Sequence, residues 1–507
     1  MKVQQLLSIK HKAFFGDDQI DIKGLAYNSK RVKKDFAFFA LPGHNTDGKK
    51  FIDESIANGA CLIISCSKVE NINAAQIVVD DIFKFMSEFC AKFYDHPDKK
   101  LKIIAITGTN GKTTTSYMIE SILKYAGLEC AVFGTINYRY GGKVLEAPNT
   151  TPQSLDLFEM MSQIVEAKIK YLVMEVSSHA LALGRTDNIK FDIAVFTNLT
   201  LDHLDFHKDL ESYFLAKAKL FEGLQNGACS IINIDDEYGK RLEKINSKVE
   251  VLTYSINSTS PHKTASITAQ NIEISQNSSS FDLIFAGRSE SIKIKHVGFH
   301  NIYNALASFG ACIACGLDFH TAVCGLQEAE AAPGRLERVD AKNLGFEIFI
   351  DYAHTDDALK NVLQALRALN PKRIVTVFGC GGDRDRSKRP KMGELAANLS
   401  DFVFITSDNP RTESASKIIL DIEVGIKRIN KSNYKVVSDR AKAIKDAVMM
   451  AAKGDIILIA GKGHENYQIV GVQKTHFDDK EIAAQMIEER NKSLKKKTKI
   501  VQGELNF

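Results

Sequence analysis

The segment Lys102-Ile103-Ile104-Ala105-Ile106-Thr107 runs directly into Gly108-Thr109-Asn110-Gly111-Lys112-Thr113-Thr114, and an amphipathic helical pattern begins at Lys112. An apolar strand, a glycine turn and a helix in immediate succession leave few folds open. The strand belongs to a sheet flanked by helices, and the turn offers backbone N–H groups at a helix N-terminus, where unpaired donors and the helix dipole favour an anion. Lys112 is placed to reach the terminal phosphates of ATP, and Thr113 to hold Mg²⁺. The usual phosphate loop has glycine where this chain has Ile106, so this is a shorter variant.

At 507 residues the chain exceeds one ordinary hydrophobic core, and its patterning predicts an α/β protein of three domains. Residues 1–98 read as a small N-terminal α/β domain ending in a linker at His96-Pro97-Asp98. Residues 99–332 read as a central P-loop-type, parallel-sheet ATPase domain, with further apolar strands at 171–176, 191–198 and 229–235. A polar tract from about 254 to 296 alternates like antiparallel strands, before a second boundary at Ala331-Ala332-Pro333-Gly334. Residues 333–507 read as a C-terminal Rossmann-like α/β domain with strands in GFEIFIDYA, RIVTVFGCG, DFVFITSD and GDIILIAGKG, and a solvated tail at 492–499.

The 66 basic and 62 acidic side chains nearly cancel, so no nucleic-acid partner is expected. The N-terminus lacks a secretory pattern and no run reaches about 18 apolar residues, which predicts a cytoplasmic protein without membrane insertion; a monomer is expected. Cys312 and Cys315 form a C-x-x-C inside NALASFGACIACG, which reads as a packed helix without the second pair that a zinc site needs.

Glu175 closes the apolar run Tyr171–Val176, a position where ligands of such sheets bind and where a carboxylate could hold Mg²⁺. His203 lies in Thr197–Asp205, at another strand end; alone it would read as a surface or core histidine. The segment Tyr213–Phe221 reads, on its residues, as an amphipathic helix with two exposed lysines, Lys217 and Lys219.

Taken together, these residues resemble the Mur ligase family over nearly the whole chain, and its diaminopimelate-adding branch in particular. The resemblance implies that Lys217 carries a carbamate derived from CO₂ (an N6-carboxylysine) and that Thr113, Glu175, His203 and this carbamate hold Mg²⁺; Lys219 is the less suited carrier by register. It implies ATP on Gly108–Thr114, with Asn301 of the G-x-H-N-x-x-N segment Gly298–Asn304 at the adenine end, unless that asparagine simply caps a helix. Arg335 would neutralise phosphate and Asp351 meet the ribose. Asn28–Val32 resembles a uridine-binding opening with Ser29 as the uracil contact, although Asn28 and Lys30 depart from the family's Asp-Ser-Arg. Asn149-Thr150-Thr151-Pro152, Ser177 and Arg185 match muropeptide contacts. Arg389 is expected at the carboxylate of the incoming amino acid. Asp408-Asn409-Pro410-Arg411, with Gly461 and Glu465, is expected to select meso-2,6-diaminopimelate, whose extra carboxylate a guanidinium can meet in two parallel bonds.

The implied activity is ATP-dependent addition of meso-2,6-diaminopimelate to UDP-N-acetylmuramoyl-L-alanyl-D-glutamate through an acyl phosphate. Two alternatives stand beside it. A sister amide ligase of the folylpolyglutamate or cyanophycin synthetase type would have no use for the uridine-type opening. A non-catalytic nucleotide-binding regulator would not need Lys112, Glu175, His203, Lys217, Arg335 and Asp351 together.

Overall fold

The structure is a computed structural model describing residues 1–43, 47–257, 265–275 and 277–504, with side chains through residue 494. Strands β1 (Ala13–Phe15), β2 (Gly24–Ala26), β3 (Phe36–Phe39), β4 (Ala60–Ser65) and β5 (Ala75–Val78) form the first sheet, ordered β1-β5-β4-β3-β2, with only β1 antiparallel. Its buried Phe39, Ile64, Ile77 and Phe89 pack in one continuous apolar cluster with Ile103, Phe133 and Phe158 of the next unit. The expected linker is therefore a packed junction. His96 turns left-handed (φ +47°), Pro97 starts a short 3₁₀ turn, and buried Asp98 accepts the Lys190 N–H at 3.2 Å.

The central sheet contains β6 (Lys102–Thr107), β7 (Cys130–Phe133), β8 (Asn137–Tyr140), β9 (Lys143–Glu146), β10 (Tyr171–Glu175), β11 (Ile193–Phe196), β12 (Cys229–Asn233), β13 (Glu250–Ser255), β14 (Ile267–Ser275), β15 (Ser278–Phe285) and β16 (Arg288–Ile294). Its order is β16-β15-β14-β13-β12-β11-β6-β10-β7-β8-β9. The interior, from β7 through β14, is parallel, as expected; β15–β16 form the antiparallel edge that the alternating tract predicts, and β8–β9 add a second antiparallel edge that was not expected. Residues 258–264 and 276 of the alternating tract lie outside the described residues. Strand β6 is central and covered on both faces, which is why its sequence is uninterruptedly apolar. Cys312 and Cys315 are buried at the end of the helix Phe299–Ala314, in the apolar cluster of Ile119 and Leu306.

The third sheet comprises β17 (Glu337–Val339), β18 (Glu347–Asp351), β19 (Ile374–Phe378), β20 (Phe402–Ile405), β21 (Tyr434–Val436) and β22 (Ile456–Ala460), ordered β17-β18-β22-β19-β20-β21 and parallel except for β17. The hairpin β23 (Tyr467–Val470) and β24 (Gln473–His476) follows. The basic tail continues the backbone of the last helix, Asp479–Glu504; its side chains from 495 onward lie outside the described residues.

Candidate active site

The carboxyl ends of β6, β10 and β11 face the start of the third unit across a cavity of about 460 Å³. The phosphate loop forms its floor. Gly108 (φ +146°) and Gly111 (φ +88°) hold conformations that a side chain would strain, and a Cβ there would strike Thr197 Oγ1 and Asn304 Oδ1. The Thr109 N–H donates to the Asn198 carbonyl at 2.8 Å and the Asn110 N–H to Asn198 Oδ1 at 2.9 Å. Lys112 Nζ folds over its own loop, donating at 2.8 Å to the carbonyls of Gly108 and Thr109. Thr109 to Thr114, Thr150, Glu175, Ser177, His203, Asn301, Arg335 and Asp351 all line the cavity.

Beneath the loop, Lys217 is 1% exposed while Lys219 is exposed, so the helix Leu210–Glu222 presents one lysine to each face. Lys217 Nζ donates to the Gly108 carbonyl at 2.9 Å and sits 4.4 Å from the Tyr213 ring centroid. Burial and the nearby Lys112 charge push the Lys217 amine well below the ordinary lysine range, against the pull of Asp202. The shift favours the uncharged amine, the form that can react with CO₂.

Glu175, 1% exposed, accepts from the Thr135 N–H at 3.0 Å and the Thr135 hydroxyl at 2.9 Å. Thr150 Oγ1 meets Thr135 Oγ1 at 3.1 Å, and Thr151 Oγ1 donates to the Glu175 carbonyl at 2.9 Å while accepting the Ser177 N–H at 3.0 Å. Arg185 Nη1 donates to the Thr151 carbonyl at 3.2 Å, and its buried Nε has no protein partner. The segment 149–151 is thus bolted to the end of β10. His203 takes a left-handed backbone (φ +55°), and burial holds its imidazole down to about 3, hence neutral.

Among the described residues, no three His, Cys, Asp or Glu side chains converge as a protein-only metal cage. Thr113, Glu175 and a neutral His203 make a partial set, which suits an Mg²⁺ ion that also takes substrate phosphates and water.

The third unit closes on this floor. Arg335 Nη2 donates to Thr113 Oγ1 at 3.2 Å and Asn110 Nδ2 to Asp357 Oδ2 at 2.8 Å. Arg335 stacks 4.6 Å over Tyr352, and its Nε is buried without a partner. Buried Asp351 accepts the Leu336 and Ala353 N–H groups, both at 2.7 Å, and burial raises its carboxyl from the ordinary range. Asn301 caps no helix end: its Nδ2 donates to the Val297 carbonyl at 2.9 Å and its Oδ1 accepts from Asn304 at 3.1 Å.

Farther into the third unit, Asp408–Arg411 follows β20 and Gly461–Glu465 follows β22. Asn409 Nδ2 donates to Glu465 Oε2 at 2.7 Å, joining the two loops. Gly461 (φ +116°) faces Asp408 Oδ2 where a Cβ would be 2.6 Å away. Arg411 (φ +51°) donates through Nη1 to the Gly382 carbonyl at 2.8 Å.

Comparison with known proteins agrees with this arrangement. Residues 21–94, 106–312 and 334–463 match the models described as Mur ligase family, catalytic domain; Mur ligase middle domain; and Mur ligase, glutamate ligase domain. UDP-N-acetylmuramoyl-L-alanyl-D-glutamate--2,6-diaminopimelate ligase 1 of Clostridium acetobutylicum is 45% identical over 493 residues, covering 96% of this chain and 100% of that protein. The chain belongs to the Mur ligase family. A similarly named ligase of Fusobacterium nucleatum is 45% identical over 474 residues, 92% of this chain and 94% of its own. A solved UDP-N-acetylmuramoyl-L-alanyl-D-glutamate--2,6-diaminopimelate ligase superposes with a TM-score of 0.68 at 32% identity, covering 97% and 99% of the two chains. The MurF ligase of Thermotoga maritima, solved with ADP, shares the fold at 20% identity, with a TM-score of 0.64 over 92% and 97%.

In this Mur ligase one sequence expectation fails on geometry. Arg389 is fully buried, donating to Glu413 at 3.0 and 2.8 Å, to Asp421 at 2.9 Å and to the Gly381 carbonyl at 3.2 Å. Its guanidinium pins the helix Lys388–Leu399 to the helix Ala415–Arg428 and is not presented to a substrate. Arg384, which the sequence reading passed over, donates to the Asp383 carbonyl at 3.3 Å and flanks Gly381 together with Arg411. Its place in the glycine turn, ahead of the helix that buries Arg389, was the available signal.

The uridine-type opening lies away from the Mur ligase's phosphate cleft. Ser29 is buried and donates to Glu54 Oε2 at 2.9 Å, while Asn28 accepts the Lys30 N–H at 3.0 Å, so its role is to cap a 3₁₀ turn. A second cavity of about 410 Å³, lined by Tyr27, Arg31, Tyr140 and Asn149, opens beside that turn.

Proposed function

We propose that this Mur ligase joins meso-2,6-diaminopimelate to UDP-N-acetylmuramoyl-L-alanyl-D-glutamate in peptidoglycan biosynthesis, at the expense of ATP. Residues 1–98 take the UDP end, 99–332 the ATP and 333–507 the amino acid. The observation that carries this reading is that the phosphate loop, the segment at Thr150 and Arg335 of the third unit line one cleft.

A free carboxylate does not condense with an amine in water, so the D-glutamyl carboxylate first attacks the terminal phosphorus of ATP, giving an acyl phosphate and ADP. Lys112 swings from its loop carbonyls to the transferring phosphoryl group, and Arg335 spreads its charge. Thr113, Glu175, His203 and a carbamate on Lys217 would hold Mg²⁺, which when bound would supply further charge neutralisation for the phosphates. In its uncharged form the Lys217 amine forms its N–C bond to CO₂ and loses a proton, converting a buried base into an anion. The amine of the amino acid then attacks the acyl carbon, phosphate leaves and an amide remains. Arg411 and Arg384 receive the distal carboxylate, and Glu465 the distal ammonium. The contacts from Arg335 to Thr113 and from Asn110 to Asp357 bring the third unit against the phosphate loop.

Among the described residues no helix is long and apolar enough to cross a membrane. The test is phosphate release from ATP with the UDP-muropeptide and a choice of amines. Release should require meso-diaminopimelate and be very poor with lysine. Equal use of lysine, or turnover only when folate replaces the muropeptide, refutes the reading.

A further inference from the structure

Lys462 is fully buried, yet it belongs to no step above. Its Nζ donates to Asn409 Oδ1 at 3.0 Å and to the Tyr467 carbonyl at 2.6 Å, and lies 3.6 Å from Glu465 Oε2. Asn409 Oδ1 also accepts the Ile469 N–H at 3.0 Å. Two donors converge on one amide oxygen, so the amide cannot flip without setting its NH₂ against both. The other end of the amide must then donate, and it does so to Glu465 at 2.7 Å.

We propose that Lys462 is the positioning residue of the amino-acid site, fixing the Asn409 amide and through it the Glu465 carboxylate that receives the substrate's distal ammonium. This rests on the reading of Glu465 given above. Stability alone does not account for such a lysine, because an apolar side chain of similar volume is often as good in a buried ion-pair site. What an apolar residue cannot do is choose the orientation of an amide.

The electrostatics run the same way. Burial pushes the Glu465 carboxyl up and Asp408 adds to this, while Lys462 first, then the Asn409 amide and Arg411, oppose both. The groups facing Lys462 are Asp408, Glu465, Arg440, Asp479 and Tyr467, and burial lowers its own ammonium against the acids' pull. Loss of the lysine should therefore leave Glu465 protonated to a higher pH, where it no longer attracts an ammonium.

The experiment is a double-mutant cycle on the full chain, with KM measured for meso-diaminopimelate and for ATP. Lys462→Met should raise the amine KM about tenfold, the scale of a charge-assisted hydrogen bond, and leave the ATP KM within about twofold. It should also move the acid limb of the kcat/KM profile to higher pH. In a Glu465→Gln background the same substitution should change the amine KM by less than about twofold, because the lysine acts through Glu465. Asn409→Asp keeps the acceptor for Lys462 but removes the donor to Glu465, and should reproduce the KM rise if Lys462→Met fails to fold. Equal losses in both backgrounds, equal losses for ATP and amine, or an unchanged KM in Asn409→Asp would overturn the proposal. Wild-type turnover with meso-diaminopimelate tests the substrate reading separately.

Discussion

Replacing Arg389 by Met separates a structural arginine from a substrate-binding one. The helices Lys388–Leu399 and Ala415–Arg428 approach so closely that a Cβ on Gly425 would strike the Pro390 carbonyl, and Arg389 supplies the ion pairs beside this contact. The substitution leaves Glu413, whose side chain is 12% exposed, without its bidentate partner, and Asp421, 45% exposed, without its ion pair. Breaking a fully buried pair costs about 3–5 kcal/mol, and the exposure of Asp421 reduces this to about 2–3 kcal/mol. The hydrogen bonds from Arg389 hold the Glu413 carboxyl down to about 2 from 4.5. Its contribution is therefore complete above pH 4.5 and is lost as the pH falls through that value towards 2. The assay is a urea and thermal unfolding series at neutral pH and at pH values below 4.5, alongside KM for meso-diaminopimelate. The unfolding midpoint should drop at neutral pH, the gap to wild type should narrow on acidification, and the KM should stay within about twofold. A raised KM with an unchanged midpoint would refute the reasoning and return Arg389 to the substrate.

Arg411→Ala should do the opposite, losing about 2–3 kcal/mol of meso-diaminopimelate binding, the scale of charged hydrogen bonds, with little change in unfolding. The preference over lysine, measured as a ratio of kcat/KM values, should narrow. Lys112→Ala should abolish ligation while UDP-muropeptide binding, measured by calorimetry, persists, since the two ligands occupy different loops. Lys217→Ala should be nearly inactive and partly rescued by small carboxylates, whereas Lys219→Ala should keep wild-type turnover; the reverse pattern would show that the wrong lysine was chosen.

The parts of the fold that were legible in the sequence are those buried on both faces. Strands β6, β10, β18, β19 and β22 show as unbroken apolar runs because helices cover them above and below. The phosphate loop was legible because it is contiguous. Strands β7 to β9 were missed: each has four residues, and β9 is exposed throughout, so no period stands out. Lys217 and Arg389 show the deeper limit. Whether a cation on an amphipathic helix points inward depends on partners far along the chain, Gly108 for one and Glu413 with Asp421 for the other. Local spacing carries no trace of them, and the family resemblance located the first but not the second.

The packed junction at Pro97 and the apolar cluster that continues from Phe89 into Phe133 make the first two units a single body. Parting them would bring a shared interior into water. The third unit meets that body at the cleft through Arg335 with Thr113, Asn110 with Asp357 and, on the outside, Lys474 with Glu146, and through an apolar contact in which Val297 shares a buried cluster with Leu336, Val362 and Ala365. On the proposed assignment of residues 1–98 to the UDP end and 99–332 to ATP, those two ligands sit on the units that share an interior, so their mutual alignment is set at folding, and the amine comes from the third unit.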